Sequence, residues 1–220
     1  MGPEALNDAR FTRQRRRMVE TIADRGITDL AILRAFDTVP RHLFLPAAVQ
    51  HRAYEDVPLP IGFGQTASQP SLQALYMQVL GLTSDHRVLE VGTGSGFQTA
   101  LLAQLVDHVY SVERVNDLAA RARTAIEGMR ITNVAVLVGD GTVGWSRYSP
   151  FDAILVAAAA PSRPDALVEQ LAPGGRLLAP IGDRREQKLT LFHNTDTGVE
   201  TEEITTVSFV PLVGRFGWPD

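Results

Sequence analysis

The sequence predicts an α/β fold: a mostly parallel, doubly wound sheet, with a helical extension before it and an antiparallel hairpin after it. Three observations carry that expectation. From residue 86 onward, short apolar runs alternate with helical patterns, the rhythm of a parallel sheet with helices on both faces. One run, Val88-Leu89-Glu90-Val91, passes directly into the glycine-rich turn Gly92-Thr93-Gly94-Ser95-Gly96 and then a helix. Near the end, two apolar stretches flank a polar turn at 194–198, a pattern that reads as an edge hairpin and makes the sheet mixed.

The first element is a helix over 8–25, with Phe11, Met18, Val19 and Ile22 near one face and Gly26 as its stop. A second helix runs from Asp29 to Val39, with Pro40 just past its end. Residues 41–70 are rich in Pro and Gly and read as one long irregular segment, the kind that is usually functional or disordered. Its apolar residues (Phe44, Leu45, Tyr54, Leu59, Ile61, Phe63) argue against disorder. A helix follows over 71–82. Strands are expected at 87–91, 108–112, 134–138, 152–157 and 175–180, and helices at 96–105, 116–128 and 164–171. The hairpin strands are expected over 188–193 and 204–210. No linker or internal repeat interrupts the pattern. The chain reads as a single domain over 1–220, with 1–82 as helical and loop extension and 83–220 as α/β core.

Composition bounds the function. The chain has 220 residues, 45% hydrophobic and 21% charged, the make-up of a soluble globular protein. A net charge of −4 gives no bulk attraction to nucleic acid, and none is expected as a partner. There are no cysteines, so disulfides, thiolate metal sites and cysteine nucleophiles are excluded. That is compatible with the cytoplasm, the expected location. No apolar run approaches the ~20 residues that span a bilayer, so no membrane association is expected. Arg13, Arg15, Arg16 and Arg17 lack a following apolar stretch and read as a solvated helix face, not a signal peptide.

The turn at 92–96 has the layout of a nucleotide site. Gly92 and Gly94 let a ligand approach the backbone, and Gly96 lets the next helix pack close to the strand. Glu113 stands about 20 residues on, at the tip of the next strand, where a carboxylate can hold both ribose hydroxyls. The spacing is G-x-G-x-G, no basic residue lies in the turn, and Glu90 precedes it. A pyrophosphate is repelled by that carboxylate, whereas a sulfonium or an α-amino group is not. S-adenosyl-L-methionine therefore fits better than a dinucleotide; a non-binding glycine-rich turn is the alternative.

Three more segments matter together: Val39-Pro40-Arg41-His42-Leu43-Phe44; Tyr54-Glu55-Asp56 with Leu59-Pro60-Ile61-Gly62-Phe63-Gly64-Gln65-Thr66-Ala67-Ser68-Gln69-Pro70; and Leu171-Ala172-Pro173-Gly174-Gly175-Arg176-Leu177 with Phe209-Val210-Pro211-Leu212. With the 92–96 turn, they make the chain resemble the protein-L-isoaspartate O-methyltransferase family from about Met18 to Leu212. The resemblance implies a Rossmann-like S-adenosyl-L-methionine-dependent methyltransferase fold. It implies methylation of the α-carboxylate of L-isoaspartyl residues in damaged proteins and peptides, which initiates their repair, with no metal. It places Ser68 at the reaction centre. It assigns cofactor positions to Gln65, Thr66, Glu90, Gly92, Thr93, Gly94, Ser95, Gly96, Gln98, Glu113, Asp140 and Gly141, with Asp140 meeting the adenine amino group. Ala67, Ala157 and Arg163 depart from the family pattern and bear on the shape of the substrate pocket. Nothing carries over to the tail after Leu212.

Bland readings stand beside these. Ser68 could cap the helix that begins near Ser71. His42 and His51 are not at metal spacing and read as surface or loop histidines. Glu55-Asp56 either orients the loop or is solvated. Asp140 could close a turn in Gly139-Asp140-Gly141. Trp145 and Tyr148 are pocket walls or ordinary packing. Two rival functions remain: a carboxyl methyltransferase dedicated to an aspartate of one peptide natural product, and a cofactor-binding adaptor without turnover.

Overall fold

The computed structural model describes residues 9–219. Residue 8, where the first helix was expected to begin, lies outside them. Helix α1 (Ala9–Asp24) buries Met18 and Ile22 and leaves Arg13, Arg16 and Arg17 exposed. Arg15 departs from the solvated face: it is half-buried and reaches Asp37 at 3.7 Å. Helix α2 (Leu30–Thr38) is capped by Asp29, whose side chain accepts from Ala31 N and Ile32 N.

The irregular segment holds more order than composition suggests. It forms two 3₁₀ turns, Arg41–Phe44 and Ala47–Arg52, and a small ladder of β1 (Leu59–Gly62) with β2 (Gln65–Ala67). Pro60 and the paired glycines hid that ladder, because neither residue type scores as strand. Helix α3 (Pro70–Leu80) follows with proline in its first turn, where no N–H is needed.

The main sheet has seven strands: β3 (Arg87–Val91), β4 (His108–Glu113), β5 (Val134–Val138), β6 (Phe151–Val156), β7 (Leu171–Gly182), β8 (Gln187–Thr195) and β9 (Gly198–Val207). Their spatial order is β5-β4-β3-β6-β7-β8-β9. Strands β3 to β7 pair in parallel; β8 and β9 return antiparallel. The order reverses between β3 and β6. Their carboxyl ends therefore open a crevice, the usual ligand position of such sheets. Helices α4 (Phe97–Leu102) and α5 (Asn116–Gly128) join α1 to α3 in one core against one face; Leu89, Val91, Ile154, Val156 and Leu167 lie in a second core.

Several boundaries differ from expectation for local reasons. Helix α4 stops at Leu102 because its last bonds tighten to three-residue turns, such as Leu105 N to Leu102 O. Helix α6 (Asp165–Val168) is one turn, since Leu171 already pairs with Phe151 at the start of β7. Strand β7 starts early and absorbs Pro173-Gly174-Gly175 where the register with β6 shifts. The hairpin turn is narrower than 194–198, because Thr195 and Gly198 already pair. Strand β9 ends at Val207, so Phe209 and Val210 leave the sheet.

Candidate active site

A cleft lies over the β3/β6 crevice, at the carboxyl ends of the parallel strands. It is lined by Gln65, Thr66, Ser68, Gly92, Thr93, Gly94, Ser95, Gln98, Glu113 and Gly141 among the residues expected from sequence. Glu90, Gly96 and Asp140 do not line it.

Each of those three has a structural task instead. Gly96 has φ +84°, and a Cβ there would come within 2.9 Å of Ala122 Cβ on α5. The residue sets helix packing rather than touching the cleft. Glu90 is fully buried. Its Oε2 accepts from Thr99 Oγ1 at 2.5 Å and Ser111 Oγ at 2.6 Å, while Oε1 has no partner. Burial pushes its carboxyl up to about 7; the two hydroxyls oppose this, and the neighbouring Glu113 charge adds to it. Ser111 also meets Thr93, so the carboxylate connects to the cleft wall through hydroxyls.

The Asp140 carboxylate is turned to the C-terminal tail and does not line the cleft. Its Oδ1 accepts from Thr142 N and Thr142 Oγ1, and its Oδ2 accepts from Arg215 N at 2.7 Å. Burial opposes ionisation there, but these hydrogen bonds outweigh it and hold the carboxyl below its usual range. Phe216 N donates to Thr142 Oγ1, and Trp218 Nε1 donates to Ala159 O. The tail is thus strapped beside the cleft, and Val210, Pro211, Leu212 and Val213 form one wall. Sequence reading carried nothing to Val213, because that wall depends on partners 59 to 75 positions away.

Glu113 lines the cleft with its carboxylate held by two backbone donors. Its Oε2 accepts from Gly94 N at 2.8 Å and its Oε1 from Val115 N at 2.9 Å, which tie the glycine turn to the tip of β4. Gly94 at φ +54° faces Ile61 Cδ1, so any side chain there is strained and intrudes on the cleft.

Gln73 was not anticipated. It lies in the second turn of α3 and lines the cleft, 4% exposed, with Oε1 lacking a partner. Across the helical layer Gln98, 7% exposed, lines the same cleft with Nε2 lacking one. A buried amide with an unpaired polar atom costs about 1–3 kcal/mol, which makes both amides candidates for a ligand contact.

Ser68 is half-buried, and its hydroxyl makes no hydrogen bond among the described residues. It is not the cap of α3. That position falls on Gln69, and Asp56 does the capping from the loop, accepting from Ser71 N and Ser71 Oγ at 2.9 Å. Asp56 therefore orients the loop, while Glu55 is exposed and paired with Arg52. Ser68 and Thr66 also line a second, open groove, walled by Leu72 and Leu75 of α3 and by residues 205–209. They stand where the two cavities adjoin.

The remaining sequence candidates divide between the cleft and other parts of the fold. His42 is buried, not at the surface: its Nδ1 meets Tyr54 Oη at 2.7 Å and its ring stacks on Phe11. Trp145 and Tyr148 pack with Tyr110 away from the cleft. Ala67 and Ala157 line the cleft, and Arg163 is exposed and paired with Asp165. Among the described residues no group of His, Asp or Glu could hold a metal ion.

Comparison with known proteins agrees with this geometry. A family model described as protein-L-isoaspartate(D-aspartate) O-methyltransferase matches residues 13–217. A protein-L-isoaspartate O-methyltransferase of Trichlorobacter lovleyi is 50% identical over 210 residues, covering 94% of this chain and 97% of that protein. One of Geobacter metallireducens is 48% identical over the same shares of both. A solved protein-L-isoaspartate O-methyltransferase superposes with a TM-score of 0.85 at 32% identity, over 92% of this chain and 67% of its own. A Plasmodium falciparum structure, titled a putative member in complex with S-adenosyl-L-homocysteine, superposes with a TM-score of 0.78 at 27% identity, over 89% and 96%.

Proposed function

The chain belongs to the protein-L-isoaspartate(D-aspartate) O-methyltransferase family, and we propose how its own residues carry the methylation of isoaspartyl α-carboxylates in damaged proteins. The observation that carries the proposal is the position of Ser68, which lines both the cleft and the open groove. A transfer between two bound molecules needs such a junction.

The cofactor is S-adenosyl-L-methionine, and the residues of the cleft fit it. Glu113 offers its carboxylate to a ribose diol. The unpartnered Gln98 Nε2 suits an α-carboxylate, and the unpartnered Gln73 Oε1 suits an α-ammonium. When bound, the cofactor supplies an electrophilic methyl group and leaves as a neutral thioether.

The substrate carboxylate, with an ordinary pKa of about 3.5, is already ionised at neutral pH and needs no general base. The protein's work is orientation and the exclusion of water. Ser68 Oγ–H donates to one carboxylate oxygen and leaves the other free to bond the methyl carbon. The walls at 210–213 and Ala157 keep water from that oxygen. The groove beside Ser68 takes the substrate chain on one side of the isoaspartyl residue. We also read the chain as one domain, supported by the core that α1 to α3 share with α4 and α5. The partner is a protein or peptide and not a nucleic acid or a membrane, and the setting is cytoplasmic, which a cysteine-free chain allows.

Mass spectrometry of an isoaspartyl peptide after reaction tests the chemistry. A gain of one methyl, lost as methanol in mild base with formation of a succinimide, is the expected result. A base-stable methyl group would refute carboxylate methylation. Ser68→Ala should lower kcat on the order of tenfold or more while S-adenosyl-L-methionine affinity is retained. A fall in melting temperature with unchanged kcat would return Ser68 to a structural part.

A further inference from the structure

Arg41 is fully buried and heads the large fully buried side chains among the described residues. A buried guanidinium must satisfy its donors, and this one does so in an unusual way. Its Nη1 donates to Ala53 O at 2.9 Å and Glu55 O at 3.2 Å; its Nη2 donates to Val57 O at 3.4 Å and Ser68 O at 2.9 Å. All four partners are backbone carbonyls. Three lie on the loop before β1, and the fourth belongs to Ser68. Its Nε has no partner. The guanidinium also lies 5.7 Å from the ring centroid of Phe97, the first residue of α4 after the glycine turn. Arg41 thus touches the acceptor side of the junction and the element that carries the cofactor turn.

The Ser68 hydroxyl makes no hydrogen bond among the described residues, so its place is set by its backbone. The bond from Arg41 fixes the peptide plane that follows Ser68.

We propose that Arg41 is a positioning residue for methyl transfer, acting through the Ser68 carbonyl to hold the Ser68 hydroxyl in register with the cofactor turn. This rests on the reading of Ser68 as the group that orients the acceptor carboxylate. Burial pulls the guanidinium down to about 10, against the raising charges of Asp56 and Tyr54, so it stays cationic at neutral pH and all four N–H bonds persist. A lysine ammonium in the same place has three donors on a point charge. It cannot present two pairs of N–H groups in a fixed plane. The loop would keep part of its anchoring, and Ser68 would lose its orientation. Misplacement of a reacting group by about 1 Å costs roughly a hundredfold in rate.

The test is a double-mutant cycle of Arg41→Lys and Ser68→Ala, assayed with an isoaspartyl peptide, with S-adenosyl-L-methionine affinity measured by calorimetry on each protein. Arg41→Lys should lower kcat roughly ten- to a hundredfold and leave cofactor affinity within about twofold. In the Ser68→Ala background, Arg41→Lys should have little further effect on kcat, because the group it positions is gone. Multiplying losses in the double variant would overturn the proposal, as would an Arg41→Lys enzyme whose kcat per folded molecule is unchanged. If Ser68→Ala alone leaves kcat unchanged, the reading of Ser68 fails first and the inference falls with it. Should Arg41→Lys not fold, Arg41→Gln, whose shorter amide falls two bonds short of the Nη positions that hold the Ser68 carbonyl, carries the same cycle.

Discussion

Glu90 shows how a single residue can be found in a sequence and still be misplaced. Its side chain stands behind the cleft wall, among Thr99 and Ser111, and not in the cleft. The sequence showed a carboxylate before the turn; it could not show which face of β3 it takes, because a strand buried on both faces has no polar side to alternate with. Its displacement from an ordinary 4.5 to about 7 has a consequence for stability. The folded protein holds this proton more tightly than the unfolded chain. As pH rises from about 4.5 to 7 the unfolded chain releases it first, so stability falls across that window by roughly 3 kcal/mol and is level above it. For a chain of this length that corresponds to about 6–12 °C in melting temperature. Glu90→Gln should remove this part of the fall between pH 5 and pH 8; melting curves of equal slope for both proteins would contradict it. Glu113 was legible in place: its carboxylate stands at the tip of β4 and lines the cleft. Glu113→Ala should weaken S-adenosyl-L-methionine binding by about 1.5–3 kcal/mol, the scale of a hydrogen bond to a charged group. Unchanged affinity by calorimetry would remove the ribose assignment.

At the scale of elements, periodicity located nearly every helix and strand of the core, because each is long enough to show its period. The short pieces escaped it. The β1–β2 ladder, the 3₁₀ turns and the one-turn α6 have too few residues for a repeat, and their form depends on distant partners. The C-terminal tail is the functional case. Its residues carry no helical or strand pattern, and its place is fixed by Asp140, Thr142 and Ala159. Asp140→Ala should therefore act on the tail. We expect a loss of about 1–3 kcal/mol in stability, from backbone and hydroxyl donors left without a charged acceptor. Proteolysis near Arg215 should rise, with a smaller effect on cofactor affinity. A large loss of affinity with unchanged proteolysis would instead place Asp140 against the adenine. Gly94→Val should abolish cofactor binding with most of the fold intact, since the turn at φ +54° takes no branched side chain. Retained binding would show that the ligand does not approach this backbone.

At the scale of the molecule, the alternation of strand and helix made a parallel sheet legible, and the glycine turn made one end of it the ligand side. The strand order was not legible, and the order is what matters. The reversal between β3 and β6 opens the crevice, and the N-terminal extension supplies Ser68 and Gln73 to it from outside the sheet. A second cavity thereby opens beside the cleft, with Ser68 and Thr66 shared between the two. The groove beside Ser68 would grip main chain on one side of the acceptor residue. An isoaspartyl linkage carries an extra backbone methylene and presents its α-carboxylate as a short branch. A normal aspartate directs its main chain differently, and its carboxylate oxygen would miss the methyl group. The most direct measurement is transfer of labelled methyl from S-adenosyl-L-methionine to pairs of peptides of unrelated sequence, each pair differing only in isoaspartate or aspartate at one position. The account predicts base-labile label on every isoaspartyl member and little on its twin. Equal labelling of the twins, or labelling confined to one peptide sequence, would contradict it.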